Sequence, residues 1–228
     1  MAGIGIKLNR IYSKNTIVTN LMGFGYSTVI TIAPMFLVIA AVIIMQILLG
    51  FSSIGYAQRE LYSCTVLYIF VFALLTASPF NAVLSKYMSD VIYEEKYENI
   101  LPCYYVGLLL NTLLSAALGI PFCIHEYVVG KVDIFFVFSG YCGYMALMFV
   151  FYSMLYLSIC KVYKKISAFF LMGMGTTVLL SLLLTKVFHV SVIYSLLISL
   201  DVGFMLIASL EYALVRSYFR NSSDRYAD

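Results

Sequence analysis

The sequence predicts an all-α integral membrane protein, a bundle of six transmembrane helices with an amphipathic helix at its N-terminal end. Three observations predict it. Charged residues occupy 11% of the 228 positions, where a soluble domain carries about 25%. Apolar residues occupy 63% and mean hydropathy is +0.97, in uncharged stretches longer than the ~20 residues that cross a ~30 Å hydrocarbon core. Those stretches are continuous rather than alternating, which excludes the ~10-residue dyad segments of a hairpin-type β-barrel and leaves helices as the spanning elements.

Residues 1–19 read as a cytoplasmic amphipathic segment. Ile4, Leu8, Ile11 and Tyr12 fall at i, i+4, i+7 and i+8, while Lys7, Arg10 and Lys14 repeat on another face, the pattern of a short helix lying on an anionic leaflet. Residues 20–216 then form a six-helix lobe, with spans at about 21–50, 61–85, 99–124, 134–160, 166–185 and 191–215. The second span is expected to project into the cytoplasm, because Leu84, Tyr87, Met88, Val91 and Ile92 continue a helical stripe past its end and Lys86 and Asp90 stand as an i, i+4 pair. The sixth is the least apolar, interrupted by Asp201 and Glu211. Residues 217–228 read as a cytoplasmic tail.

Loop charge sets the orientation, because bases resist translocation and acids matter little. Alternating sides puts Lys7, Arg10, Lys14, Lys86, Lys96, Lys161, Lys164, Lys165, Arg216, Arg220 and Arg225 on one side, and Arg59, Lys131 and Lys186 on the other. The heavily basic side is cytoplasmic, so both termini are expected there, in the cytoplasmic (inner) membrane. The same bias supports the sixth span, whose removal would place three terminal arginines outside.

Several classes of function are excluded. The bases are dispersed and form no run, so nucleic acid is not an expected partner. Cys64, Cys103, Cys123, Cys142 and Cys160 contain no C-x-x-C pair and sit within or beside apolar runs, as small buried fillers do. A cleavable leader is not expected, since the first apolar run is about 30 residues against the ~7–15 of a signal-peptide core. His125–Glu126 is not H-E-x-x-H, and no phosphate-loop or nucleophile-elbow motif occurs. The chain is therefore not expected to be an enzyme or to hold a cofactor or metal. The Asn221–Ser222–Ser223 sequon lies on the cytoplasmic side, where glycosylation is not expected.

Polar residues at membrane depth mark the candidate site. Asp201 lies near the midplane, where a charge costs at least ~2.5–3.5 kcal/mol on insertion scales. Two readings of it stand: a cation-, proton- or sugar-contacting group in a water-filled cavity, or an acid kept neutral or hydrogen-bonded at a helix contact. Tyr194, Asp201, Ala208 and Tyr212 share a stripe, and Glu211, off that stripe and about 15 Å nearer the cytoplasm, reads as a residue of the membrane interface. Further candidate cavity-lining residues are Thr31, Pro34 and Gln46 in the first span, Asn81 in the second and Asn111 in the third. Pro34 and Pro79 each free a backbone carbonyl and commonly kink a span. The pairs Ser115–Gly119 and Ser139–Gly143 read as close helix packing.

Motifs along the chain carry a family resemblance. Met1-Ala2-Gly3-Ile4-Gly5-Ile6-Lys7-Leu8 leads to Gly25-Tyr26 and Pro34. Lys86-Tyr87-Met88-Ser89-Asp90-Val91-Ile92-Tyr93 precedes Ile100-Leu101-Pro102. Ser158 to Lys161 is followed by Tyr163 and Ile166. Together these resemble the PelG family, inner-membrane transporters of the Pel exopolysaccharide system. The resemblance implies membership of the polysaccharide, lipid and drug exporter superfamily, with two six-helix lobes facing each other across a central cavity. It also implies export of a galactosamine-rich, partly cationic glycan in biofilm formation. Implied partners are membrane lipid, the polysaccharide substrate, a second six-helix lobe (a separate chain or a homodimer) and Pel synthase components including a glycosyltransferase. The alternative is a non-transporting membrane scaffold that assembles the synthase. Full members are roughly twice as long, with two repeated halves, so this chain corresponds to one lobe, and Asp201 departs from the apolar or small residue expected at that position.

Overall fold

The computed structural model describes residues 17–94, 99–160 and 162–223. Among them the chain forms six helices: α1 (Ile17–Leu48), α2 (Tyr56–Tyr93), α3 (Ile100–Val128), α4 (Ile134–Ile159), α5 (Tyr163–Lys186) and α6 (Val192–Ser223). One short 3-10 turn, Phe51–Ser53, links α1 to α2 after Gly50, whose φ of 63° is the left-handed conformation that glycine adopts at little cost when a helix ends. No strand occurs among the described residues. Apart from residues 17–19, which belong to α1, the amphipathic segment expected over 1–19 lies outside them.

By length and composition α2 to α6 are each able to cross a membrane, and among the described side chains of α1 the apolar stretch is Ile32–Leu48. The protein is thus a multi-pass membrane protein of all-α class. α2 holds 38 residues, about 57 Å at 1.5 Å each, so it outruns a hydrocarbon core. Its extension does not hang free: Leu84, Met88 and Val91 are buried in the same apolar cluster as Ile100 and Tyr104 at the start of α3. Tyr87, expected on that stripe, faces outward. α1 and α2 run unbroken through Pro34 and Pro79. α6 continues past Val215 to Ser223.

α4 and α6 are the centre of the bundle. α6 packs between α4 and α5, α4 also meets α2 and α3, α3 leans on α2 as well, and α1 lies against α5. Lipid tails are as apolar as leucine, so burial of greasy surface does not hold membrane helices together; close approach at small residues and interhelical hydrogen bonds do. α3 shows this inversion. Its buried face is Tyr104, Gly107, Asn111 and Ser115, at helical spacing, while Leu109, Leu110 and Leu113 are half or more exposed.

The α5–α6 contact is a small-residue crossing capped by hydroxyls. A Cβ at Gly203 would overlap Thr177 Oγ1, and one at Gly173 would meet the Ile207 side chain and Gly203 O. Thr177 Oγ1 donates to Gly173 O at 2.9 Å. Further along, Thr185 donates to Ser195 Oγ at 2.7 Å and Ser195 donates to Ser181 O at 2.8 Å. The α3–α4 contact is aromatic. Tyr152 donates to Tyr104 O at 3.0 Å, the Tyr104 and Ser153 hydroxyls share a 2.7 Å bond, and the Tyr104 and Tyr156 rings meet edge-on at 4.8 Å.

Candidate functional site

Asp201, in the first third of α6, projects toward α4 and is 5% exposed. One turn apart on the facing side of α4, Ser139 and Gly143 receive it. Ser139 Oγ donates to Asp201 Oδ2 in a short hydrogen bond. Gly143 supplies space, since a Cβ there would overlap Asp201 Oδ1. Oδ1 itself has no hydrogen-bond partner. The pair Ser139–Gly143, i and i+4 on one helix face, is therefore a packing motif whose gap is filled by a carboxyl group. From α2, Tyr62 lies within electrostatic reach of Asp201; it is 1% exposed and its hydroxyl also lacks a partner. No cation among the described residues acts on Asp201. Toward the α3–α4 end of the same seam, Tyr194 donates to Asp133, and Phe136 packs edge-on to the Tyr194 ring at 5.6 Å.

Of the two readings of Asp201, the geometry describes the hydrogen-bonded acid at a helix contact. Glu211 is fully buried within the bundle, and both carboxylate oxygens lack partners. It falls at the helical repeat of Phe204, Ile207 and Val215, all buried, and this face of α6 turns into the bundle. Tyr104 of α3 lies within its electrostatic reach.

The remaining candidates do not converge on Asp201. Asn111 is fully buried on α3 with both amide atoms unpartnered. One turn further along α3, Ser115 offers its carbonyl to the Tyr144 hydroxyl at 3.1 Å. Asn81 is half-buried on α2, its Oδ1 unpartnered. Gln46 is half-buried near the end of α1, and the Thr31 side chain lies outside the described residues. Pro34 does line a cavity: about 500 Å³ between α1, α2, α4 and α5, walled by Val38, Val66, Phe70, Leu147 and Phe151 among others. Its lining is apolar throughout. A second, smaller pocket of about 120 Å³ lies between α2, α3 and α4, where Tyr68, Phe72, Phe122, Tyr141 and Tyr144 surround a space with Glu126 at its edge.

Sequence reasoning missed Tyr62, because one tyrosine in a chain with 20 carries no signal. It recorded Ser139 and Gly143 without linking them to Asp201, since the pairing of two helices is set by the fold and not by spacing within either one.

A bundle that buries polar side chains such as Asn111, Ser139 and Asp201 while exposing many large apolar ones, on helices long enough to cross a bilayer, defines a helical membrane protein of the multi-pass type. The family model PelG, described as "Putative exopolysaccharide Exporter (EPS-E)", matches residues 1–228. The chain belongs to the PelG family, an exporter family and not an enzyme class. No match is found among curated proteins or solved structures.

Proposed function

We propose that the chain works as a six-helix lobe of a transporter that moves Pel-type exopolysaccharide across the cytoplasmic membrane. The observation that carries this reading is the match of the whole chain to an exporter family. The multi-pass bundle and the loop bias of Lys and Arg, which favours both termini in the cytoplasm, support it. A second six-helix lobe, from another chain or a second copy, would complete the translocation path. The Pel glycosyltransferase would supply the polymer at the cytoplasmic face.

Asp201 and the other polar residues at depth are proposed contributors to that path. Asp201, closed against Ser139 and Gly143 in this conformation, would meet a cationic glycan only where α4 and α6 part, and its negative potential would then favour that glycan. Deletion of the gene, with intracellular and secreted polymer measured separately, tests the assignment. An exporter predicts that secretion stops while the glycosyltransferase stays present and competent. A scaffold would instead leave the synthase unstable or mislocalised, and that result overturns the transport reading.

A further inference from the structure

The smaller pocket, about 120 Å³ between α2, α3 and α4, has a chemistry of its own. It lies where α3 ends at Val128 and α4 begins at Ile134, the end that loop charge favours as extracytoplasmic. Five rings surround it: Tyr68 and Phe72 from α2, Phe122 from α3, Tyr141 and Tyr144 from α4. They form one continuous cluster. Phe122 meets Tyr68 at 5.5 Å and Phe72 at 5.1 Å, Phe72 meets Tyr144 at 6.4 Å, and Tyr144 meets Tyr141 at 6.2 Å. These pairs are inclined at 52–75°, so the rings enclose a hollow and do not stack into a slab. Gly119 makes room for it, since a Cβ there would stand 2.9 Å from the Tyr144 ring and 3.0 Å from that of Tyr141. Tyr144 is 5% exposed and Tyr68 46%, so the hollow is closed on the α4 side and open beside α2.

Charge and volume select the occupant. Among the lining residues Glu126 is the one acid, and none is a base. Its side chain stands at the rim, 34% exposed, with Oε1 3.3 Å from Nδ1 of the more exposed His125 ring. Ordered water needs about two to four polar partners, and the Thr65 and Tyr144 hydroxyls are already engaged, donating to Leu61 O at 2.7 Å and Ser115 O at 3.1 Å. A metal finds a single carboxylate, and no metal-binding cluster stands among the described residues. An alkylammonium group answers both features: aromatic faces attract cations, most strongly when desolvated, and the rim carboxylate matches the charge. A cavity of ~150 Å³ accommodates benzene, so this hollow takes a small headgroup and not an acyl chain or a disaccharide.

We propose that this hollow binds an alkylammonium group, with the five rings as its cage and Glu126 as its counter-ion. The site goes beyond the exporter reading and does not depend on it. Two sources carry that chemistry, the ethanolamine headgroup of a bilayer lipid and an amino sugar.

The chain contains no tryptophan, so Phe122→Trp places a single fluorescent reporter in the cage. In the purified full chain in phosphatidylglycerol liposomes, choline should change its emission saturably. The neutral isostere of choline, with tert-butyl in place of trimethylammonium, should bind about tenfold more weakly, the scale of a desolvated cation–π contact. Adding Glu126→Gln should weaken choline by about two- to fivefold, the scale of a partly exposed ion pair, and leave the isostere unchanged. Equal affinity for choline and its isostere reveals an apolar hollow only and overturns the proposal, as does an emission change that never saturates. Should the reporter variant not fold, the wild type decides: choline should raise its thermal unfolding midpoint and the isostere should not, and no shift with choline overturns the site. Repeating the titration in liposomes that contain phosphatidylethanolamine separates the sources. Choline binding weakened there, with glucosamine inert, assigns the site to the lipid headgroup; saturable glucosamine binding, with choline affinity unchanged, assigns it to an amino sugar. Either result supports the ammonium site.

Discussion

At the scale of single residues, the fold depends on atoms that are absent. Gly203 lets the Thr177 hydroxyl sit where a Cβ would be, so Gly203→Ala forces α5 and α6 apart. The expected cost is about 1–3 kcal/mol, the range for overpacking, measured as a lower unfolding midpoint of the purified protein. Adding Thr177→Ala should recover part of the loss, because it removes the colliding oxygen but leaves Gly173 O at 3.1 Å from the new methyl. No recovery would mean that the crossing is limited by backbone alone. Glu211 calls for the opposite expectation. Both its oxygens are buried and unpartnered, so Glu211→Gln, of nearly the same shape without the charge, should leave the midpoint unchanged or raise it. A clear drop would reveal a partner for the carboxylate. Asp201 was legible in the sequence because an acid amid an apolar run is costly. The fate of Glu211 was not, because its distance from the midplane suggested water, whereas burial is decided by which face of α6 turns inward.

At the scale of elements, helix number and type were readable from hydropathy because lipid leaves the backbone no alternative to internal hydrogen bonding. The ends were harder. α2 runs to Tyr93 and α6 to Ser223, since helices persist beyond the membrane where packing or side-chain pairs support them. Helix partners were not readable at all: nothing in the spacing of Ser139 and Gly143 says that α6 faces them. The α3–α4 contact offers a quantitative check. The Tyr104–Ser153 hydrogen bond is buried and joins two helices. A double-mutant cycle with Tyr104→Phe and Ser153→Ala should give a coupling of ~0.6 kcal/mol and no more than ~1.7, the range found between membrane helices. A value near zero would place the two hydroxyls in separate networks.

At the scale of the whole molecule, orientation and path remain the functional claims. The positive-inside bias predicts that a cysteine at Ser222 is shielded from an impermeant reagent applied to intact cells and is labelled after the membrane is opened. Labelling from outside would invert the topology. The apolar cavity beside Pro34 offers no polar group to a glycan, so on this account that cavity is not the polymer's route. Neither a second lobe nor the glycan leaves a periodic pattern in this chain, and both are proposed from the family alone. Translocation itself is measured most directly in inverted membrane vesicles that synthesise the polymer on their outer, cytoplasmic face. The account predicts that polymer becomes protected from an added glycoside hydrolase only when this chain is present. Protected polymer accumulating equally in vesicles that lack it would contradict the account.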